Sequence, residues 1–239
     1  METNTNEYRR NIMCEPASMI VTKTKVFWSE NTDSHSEIVS EFGLKETDAR
    51  GDVNIIPIEI TPPNGNLKTP LSKWVFKVDF AGFQRELPDW ADLDKIEKEC
   101  RLHLKDWAKK KLIKKPCVLK SGQYYVVSSG SATVWVSGSA TVRAYDSATV
   151  EAYGSATVDA YGSATVRASG SATVWASDSA TVEASDSATV RVSGSATVVS
   201  VSDRATAIAY NVVDPDCLKS KTAVLIDRSK SSVVCYVGE

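Results

Sequence analysis

Residues 131–202 are one octapeptide written nine times in succession. Each copy opens Ser-Ala-Thr-Val, and the copies start at Ser131, Ser139, Ser147, Ser155, Ser163, Ser171, Ser179, Ser187 and Ser195. The unit reads Ser, Ala, Thr, Val, a variable residue, a small residue (usually Ala), Ser or Tyr, and Gly or Asp. A repeat this regular decides the architecture before any other feature does. Its apolar residues fall at every second position, which matches a strand with one dry and one wet face and does not match the 3.6-residue period of a helix. Gly or Asp in the eighth position supplies a corner. One octet cannot bury its apolar face alone. Octets in series can, by coiling so that each strand pairs in parallel with the coil before it.

The variable fifth position indicates how many octets make one coil. It reads Trp135, Arg143, Glu151, Asp159, Arg167, Trp175, Glu183, Arg191 and Val199. Stacked strands bring equivalent positions to about 4.8 Å, where like charges repel and opposite charges attract. Three octets per coil would stack Arg143, Arg167 and Arg191 and put Asp159 on Glu183. Two per coil give Trp135, Glu151, Arg167, Glu183, Val199 on one face and Arg143, Asp159, Trp175, Arg191 on the other, with no like charges in contact. A two-sheet parallel β-solenoid of about 16 residues per coil is therefore expected. Residues 123–130 fit as a degenerate first unit and 204–211 as a last one, after an extra residue at Asp203 that suggests a bulge. Eleven units would make a rod about 26 Å long at the parallel-strand spacing.

The 239 residues carry a net charge of -2 and a pI near 5.8, so no strongly basic patch dominates. No apolar run reaches the roughly 18 residues of a membrane span, and the polar N-terminus lacks the apolar core of a signal peptide. A cytoplasmic protein, or a virion part made in the cytoplasm, is expected. Five cysteines at 14, 100, 117, 217 and 235 form no CxxC pair, so ordinary reduced thiols are expected rather than a zinc site or disulfide framework.

Ahead of the array, residues 1–17 read as a flexible leader and 18–116 as a small α/β head, giving an α+β N-terminal domain. Strands are expected at 18–29, 52–61 and 72–80, the last with Trp74, Phe76, Val78 and Phe80 on one face. Ser34 and Glu37 have the spacing of a capping box opening a helix that stops near Gly43. A long helix over 89–113 carries the stripe Trp90, Leu93, Ile96, Cys100, Leu104 and Trp107. Residues 117–127 supply a further strand. The order strand, helix, strand, strand, helix, strand is that of a ferredoxin-like split βαβ unit. A three-stranded layer with two helices, or a last strand that already belongs to the first coil, fits as well. The solenoid is assigned to 117–211 and capping strands to 212–239.

Chemistry is sparse. His35 sits in a helix cap and His103 flanks an apolar stripe, and neither has a sequence-spaced Cys, Asp or Glu partner, so no catalytic residue, metal ligand or cofactor is assigned. Nucleotide-binding glycine motifs are absent, and Arg50-Gly51-Asp52 is ordinary turn chemistry. Lys109, Lys110, Lys111, Lys114 and Lys115 form a basic run at the end of the long helix, read as a solvated terminus or as a contact for an acidic partner. Trp135 and Trp175, with Tyr145 and Tyr161 on the face that carries Trp175, are candidates for a partner-binding surface, because tryptophan is enriched at binding hot spots. The threonine column at the third position suits exposed strand and also suggests ice binding, although the charged and aromatic rank beside it works against a flat face.

The repeat SATVxAYG follows a domain containing FWSENTDSHSEIVSEFGL, WVFKVDF and LPDWADLDKIEKECRLHLKDW. In this the chain resembles uncharacterised octapeptide-repeat proteins of gut Bacteroidetes and their phages or mobile elements. The resemblance implies a phage or mobile-element setting and brings no catalytic residues. The expected function is a non-enzymatic structural or interaction protein. Its rod would serve as spacer, assembly surface or binding platform for a protein partner or for self-assembly, with no membrane contact. A nucleic-acid-binding head with a solenoid appendage is the second reading, and an ice-binding solenoid the third.

Overall fold

The computed structural model describes residues 16–47, 53–79, 86–128, 133–229 and 233–238. The chain divides into two compact units between Lys111 and Leu112, ahead of the boundary at 117 expected from the sequence.

Among the described residues, the first unit is a four-stranded antiparallel sheet of order β2-β1-β3-β4 with two α-helices. Its strands are β1 (Ser18–Thr22), β2 (Val26–Phe27), β3 (Ile55–Thr61) and β4 (Val75–Val78). The stretch read as one strand over 18–29 is a hairpin, turned where Thr22 Oγ1 accepts the Lys25 N–H at 3.1 Å. Helix α1 (His35–Glu41) is capped by Ser34, whose hydroxyl accepts the Glu37 N–H, and it gives way at Gly43 with φ +60°. Its Ile38 packs with Ile20 and Ile55, and Phe27, Val39 and Leu44 border that cluster. Helix α2 (Leu93–Lys111) buries Ile96, Cys100, Leu104 and Trp107, while Leu93 is exposed. The ferredoxin-like order is corrected: the sheet runs β2-β1-β3-β4 with its first two strands a hairpin, and residues 117–127 leave the head for the second unit, as the alternative of a last strand belonging to the first coil had it.

The second unit is the expected two-sheet solenoid. Its strands are β5 (Leu112–Ile113), β6 (Cys117–Leu119), β7 (Gln123–Ser128), β8 (Thr133–Val136), β9 (Thr141–Asp146), β10 (Thr149–Ala152), β11 (Thr157–Ala160), β12 (Thr165–Ala168), β13 (Thr173–Ala176), β14 (Thr181–Ala184), β15 (Thr189–Val192), β16 (Thr197–Val201), β17 (Thr206–Ala209), β18 (Val224–Asp227) and β19 (Val234–Val237). One sheet runs β6-β8-β10-β12-β14-β16, the other β5-β7-β9-β11-β13-β15-β17-β18-β19. Octets alternate between the sheets, so Thr149 pairs with Thr165 and Thr157 with Thr173, each sixteen residues on. All pairings are parallel except the last, in which β19 lies antiparallel on β18. The eight parallel strands from β5 to β18 make seven steps, about 34 Å at the parallel spacing.

Between the sheets lie Ala, Val and Ala from the second, fourth and sixth positions, almost all without solvent exposure. Each coil with such small side chains adds only a thin apolar layer, so packing accumulates over many coils. Corners close where the second-position N–H donates to the seventh-position carbonyl, as Ala156 does to Tyr153 at 3.3 Å. The eighth residue is left-handed there, at Gly154 (φ +63°) and Asp178 (φ +56°) alike. Glycine suits that backbone without steric cost. Aspartate repays its strain with a bond: Asp178 accepts the N–H of Gly162 one coil earlier at 3.0 Å, and Asp186 accepts that of Gly170 at 2.9 Å.

The ends depart from the sequence reading in three ways. Gln123 pairs with Thr141, eighteen residues on, so the degenerate first unit sits two residues out of the expected phase. The extra residue is Val199 and not Asp203: the register shifts after Val182, and Ser200 takes the rank of Glu183. Asp203 is then an ordinary left-handed corner at φ +53°. Finally, residues 224–227, expected as a cap, add another parallel rung, and β19 alone is the antiparallel closure.

The sixteen-residue step makes a size prediction. Deleting residues 171–186 should leave strand content and Tm nearly unchanged, because one complete coil is lost while the buried Arg143–Asp159 pair is kept. Deleting 171–178 alone transfers every later octet to the opposite sheet, stacks Glu183 near Asp159 and Arg191 near Arg167 and moves the closing strands to the wrong side. Circular dichroism and a thermal melt should show this shorter deletion as clearly the less stable of the two.

Candidate functional site

The fifth-position ranks separate cleanly. On the sheet containing β8, Trp135, Glu151, Arg167 and Glu183 stack in the order read from the sequence. Trp135 is 39% exposed, and its Nε1–H donates to Glu151 Oε2 at 2.9 Å. The Tyr153 hydroxyl donates to the same oxygen at 2.7 Å. That bond, before partial burial and the Glu151 charge, holds the Tyr153 phenol above its ordinary pKa. Arg167 reaches Glu183 at 3.0 Å and Glu151 at 3.9 Å.

On the other sheet Tyr125, Arg143, Asp159, Trp175, Arg191, Ile208 and Ile226 follow one another. Arg143 and Asp159 are buried and approach to 4.0 Å. Arg143 Nη1 donates to the Tyr125 hydroxyl at 3.2 Å and its guanidinium lies over that ring. Burial disfavours its charge, but Tyr125, Tyr145, Asp159 and Tyr161 outweigh burial and raise its pKa. Tyr145 and Tyr161 stack with centroids 5.2 Å apart, and Arg191 lies over Trp175 at 5.7 Å. The four aromatics proposed for partner binding thus divide between two faces, Trp135 on one and Tyr145, Tyr161 and Trp175 on the other. Much of their surface is engaged in the ladders. The threonines stack in register and are mostly half-buried, beside these protruding ranks.

The outward ranks change character toward the C-terminal end. Thr and charge give way to Val224 and Ile226 on β18, with Val237 and Cys235 directly opposite on β19. Val233 and Val237 are 62% and 59% exposed. β19 ends its sheet among the described residues and carries no charged side chain. On the inner face, Asp227 takes the rank of Ala209, its carboxylate accepting from the Ser229 N–H and hydroxyl at 2.8 and 2.6 Å.

In the head, the basic run is not one surface. Lys111 is fully buried, its Nζ 3.0 Å from Asp33 Oδ2 and donating to the carbonyls of Ser29 and Thr32 at 3.2 Å. Trp107 Nε1–H donates to the other Asp33 oxygen at 2.9 Å. Lys110 pairs with Glu30, Lys109 is exposed, and Lys114 and Lys115 are exposed between β5 and β6. Trp74 is buried, donating to the Thr69 carbonyl at 3.0 Å and meeting Trp107 edge-on at 5.9 Å, so it offers no stacking platform for a base. The Arg50-Gly51-Asp52 triplet lies outside the described residues.

A polar cluster that the sequence reading missed lies on the sheet of the head. Glu59 on β3 is directly opposite Lys77 on β4, at 2.7 Å, and Asp79 follows two residues on, on the same face. His35, in the first turn of α1, sets Nδ1 3.2 Å from Asp79 Oδ2 and Nε2 3.0 Å from the Ile58 carbonyl. His35 and Glu59 are buried. Ligand atoms of His35, Glu59 and Asp79 lie within 4.8 Å of one another. No short spacing links the three; only strand register and helix placement bring them together.

No family model, curated protein or solved structure matches the chain. Among the described residues, no helix is long and apolar enough to cross a membrane.

Two predictions follow from this geometry. Lys111→Ala leaves Asp33 buried without its cation and should cost about 3–5 kcal/mol in urea unfolding, whereas Lys109→Ala should stay within about 0.5 kcal/mol. Burial, reinforced by Glu99 and Glu97, pushes the Cys100 thiol up to about 12. It should therefore resist maleimide at pH 8.5 in the native protein while exposed Cys235 reacts, as peptide mass mapping would show.

Proposed function

We propose that the protein is a non-enzymatic interaction and assembly component in which the solenoid is a rigid spacer and β19 the assembling edge. The observation that carries this reading is the change of rank at the end of the rod. Coil stacking stops at β18, where Asp227 enters the inner rank and β19 closes antiparallel. Among the described residues no strand pairs with the outer edge of β19, which lies beside the apolar patch of Val224, Ile226, Cys235 and Val237. Natural edge strands are usually blunted by charge, proline or a bulge. Val234–Val237 has no charge and no proline, and its pairing with β18 is unbroken.

The partner that suits an antiparallel edge is another strand, and the commitment here is to a second copy of this chain. The same strand meets itself across a two-fold axis, joining two nine-stranded sheets. Repeat number would then change the rod's length without altering its cross-section. The resemblance of the repeat to phage and mobile-element proteins adds the proposal of a virion or mobile-element part, made in the cytoplasm.

Light scattering of the full chain tests this. A concentration-dependent dimer is expected, and Cys235→Lys combined with Val237→Lys should make it monomeric without changing its strand signal. A monomer at every concentration, or a dimer indifferent to these lysines, would sink self-pairing through β19. A monomer that captures a different protein through the same edge would retain the interaction role and remove the second copy as its partner.

A further inference from the structure

We propose that His35, Glu59 and Asp79 form a binding site for a divalent transition-metal ion, with Zn²⁺ as the probe. The set is one imidazole nitrogen and two carboxylates, a mixture that zinc accepts. Ligands about 2.1 Å from a tetrahedral ion stand about 3.4 Å apart. His35 Nδ1 and Asp79 Oδ2 are already at 3.2 Å, and the whole set lies within 4.8 Å, so Glu59 closes the site by a side-chain adjustment.

The second observation is the orientation of His35. Its Nε2 faces the Ile58 carbonyl at 3.0 Å, and a carbonyl only accepts, so Nε2 carries a proton. Nδ1 is left aimed at a carboxylate, which in its ionised form also only accepts. Something positive must lie between them: a proton on Nδ1, or a metal ion. A ligand histidine whose other nitrogen donates to a backbone carbonyl is the usual outer support of a metal site, because that bond fixes both ring orientation and tautomer. His35 is 2% exposed and Glu59 4%, so the ligands do not have to be gathered from solvent.

Charge decides what the ion must displace. Lys77 Nζ stands 2.7 Å from Glu59 Oε2 on a side chain 53% exposed, so an ion must displace its ammonium from Glu59. Two carboxylates, a neutral imidazole and a divalent ion balance once Lys77 has left. Lys77 is therefore a competitor for the site and not a member of it. This argument concerns the head alone and stands apart from assembly through β19.

The full chain is loaded with Zn²⁺, dialysed and assayed for metal and Tm. About one equivalent should remain, and a hundredfold excess over Kd should raise Tm by roughly 5–10 °C. His35→Gln keeps a donor for the Ile58 carbonyl but loses the ligand, and should weaken binding roughly a hundredfold or more. Lys77→Met should tighten it. Zinc absent after dialysis, zinc held equally by His35→Gln, or zinc lost in Lys77→Met would each overturn the proposal. If His35→Gln does not fold, Co²⁺ decides. Ligand-field bands without thiolate charge transfer support the site, and thiolate bands or no uptake overturn it.

Discussion

The in-register parallel stacking of one sixteen-residue coil on the next is the constraint on which the solenoid depends. Its core is made of alanine and valine, which bury little area per residue. Stability must therefore come from many identical steps, each adding a set of ladder hydrogen bonds and one layer of close packing. The close approach also explains the corners. At Gly170 a Cβ would stand 2.9 Å from the Gly154 nitrogen, so that corner takes glycine, whereas Asp186 one coil on turns its carboxylate to the Gly170 amide.

Outward ranks have more freedom, and the chain uses it unevenly. Arg167 and Glu183 form an exposed pair that adds little stability. Arg143 and Asp159, in equivalent positions on the other sheet, are buried among tyrosines. One repeat motif thus yields a screened charge ladder on one face and a desolvated, aromatic-lined one on the other. Tyr125, Tyr145 and Tyr161 stand beside the buried pair, whereas Ser169 and Ser185 follow Arg167 and Glu183 on the other sheet, where the one tyrosine, Tyr153, is itself exposed.

The sequence made the solenoid legible because its signals are local. Period-two alternation, recurrent corners and a few charges were enough to give strand, turn and coil length. Irregular parts were less legible. The eighteen-residue step from β7 to β9 and the bulge at Val199 depend on where neighbouring strands lie, and an octet frame laid over the sequence places both wrongly. In the head, Lys111 could have been read as internal, since it continues the stripe Ile96, Cys100, Leu104, Trp107 by one more turn. Its charge hid that spacing. The cluster of His35, Glu59 and Asp79 left no comparable trace, because it exists only once β3 and β4 are in register and α1 lies over their sheet.

Uniform repeats raise a problem of specificity that the irregular parts answer. A slip of one whole coil would keep every alanine and valine inside and every corner glycine or aspartate at a corner, so the core alone cannot distinguish the correct register from its neighbours. The irregular steps at the two ends, the Val199 bulge and the inward Asp227 depart from the sixteen-residue frame at fixed places in the stack. The head solves the same problem with buried polar pairing, Lys111 on Asp33 and His35 on Asp79, which is costly when misplaced. Repetition supplies most of the solenoid's cohesion, and the few residues that break it define a single structure.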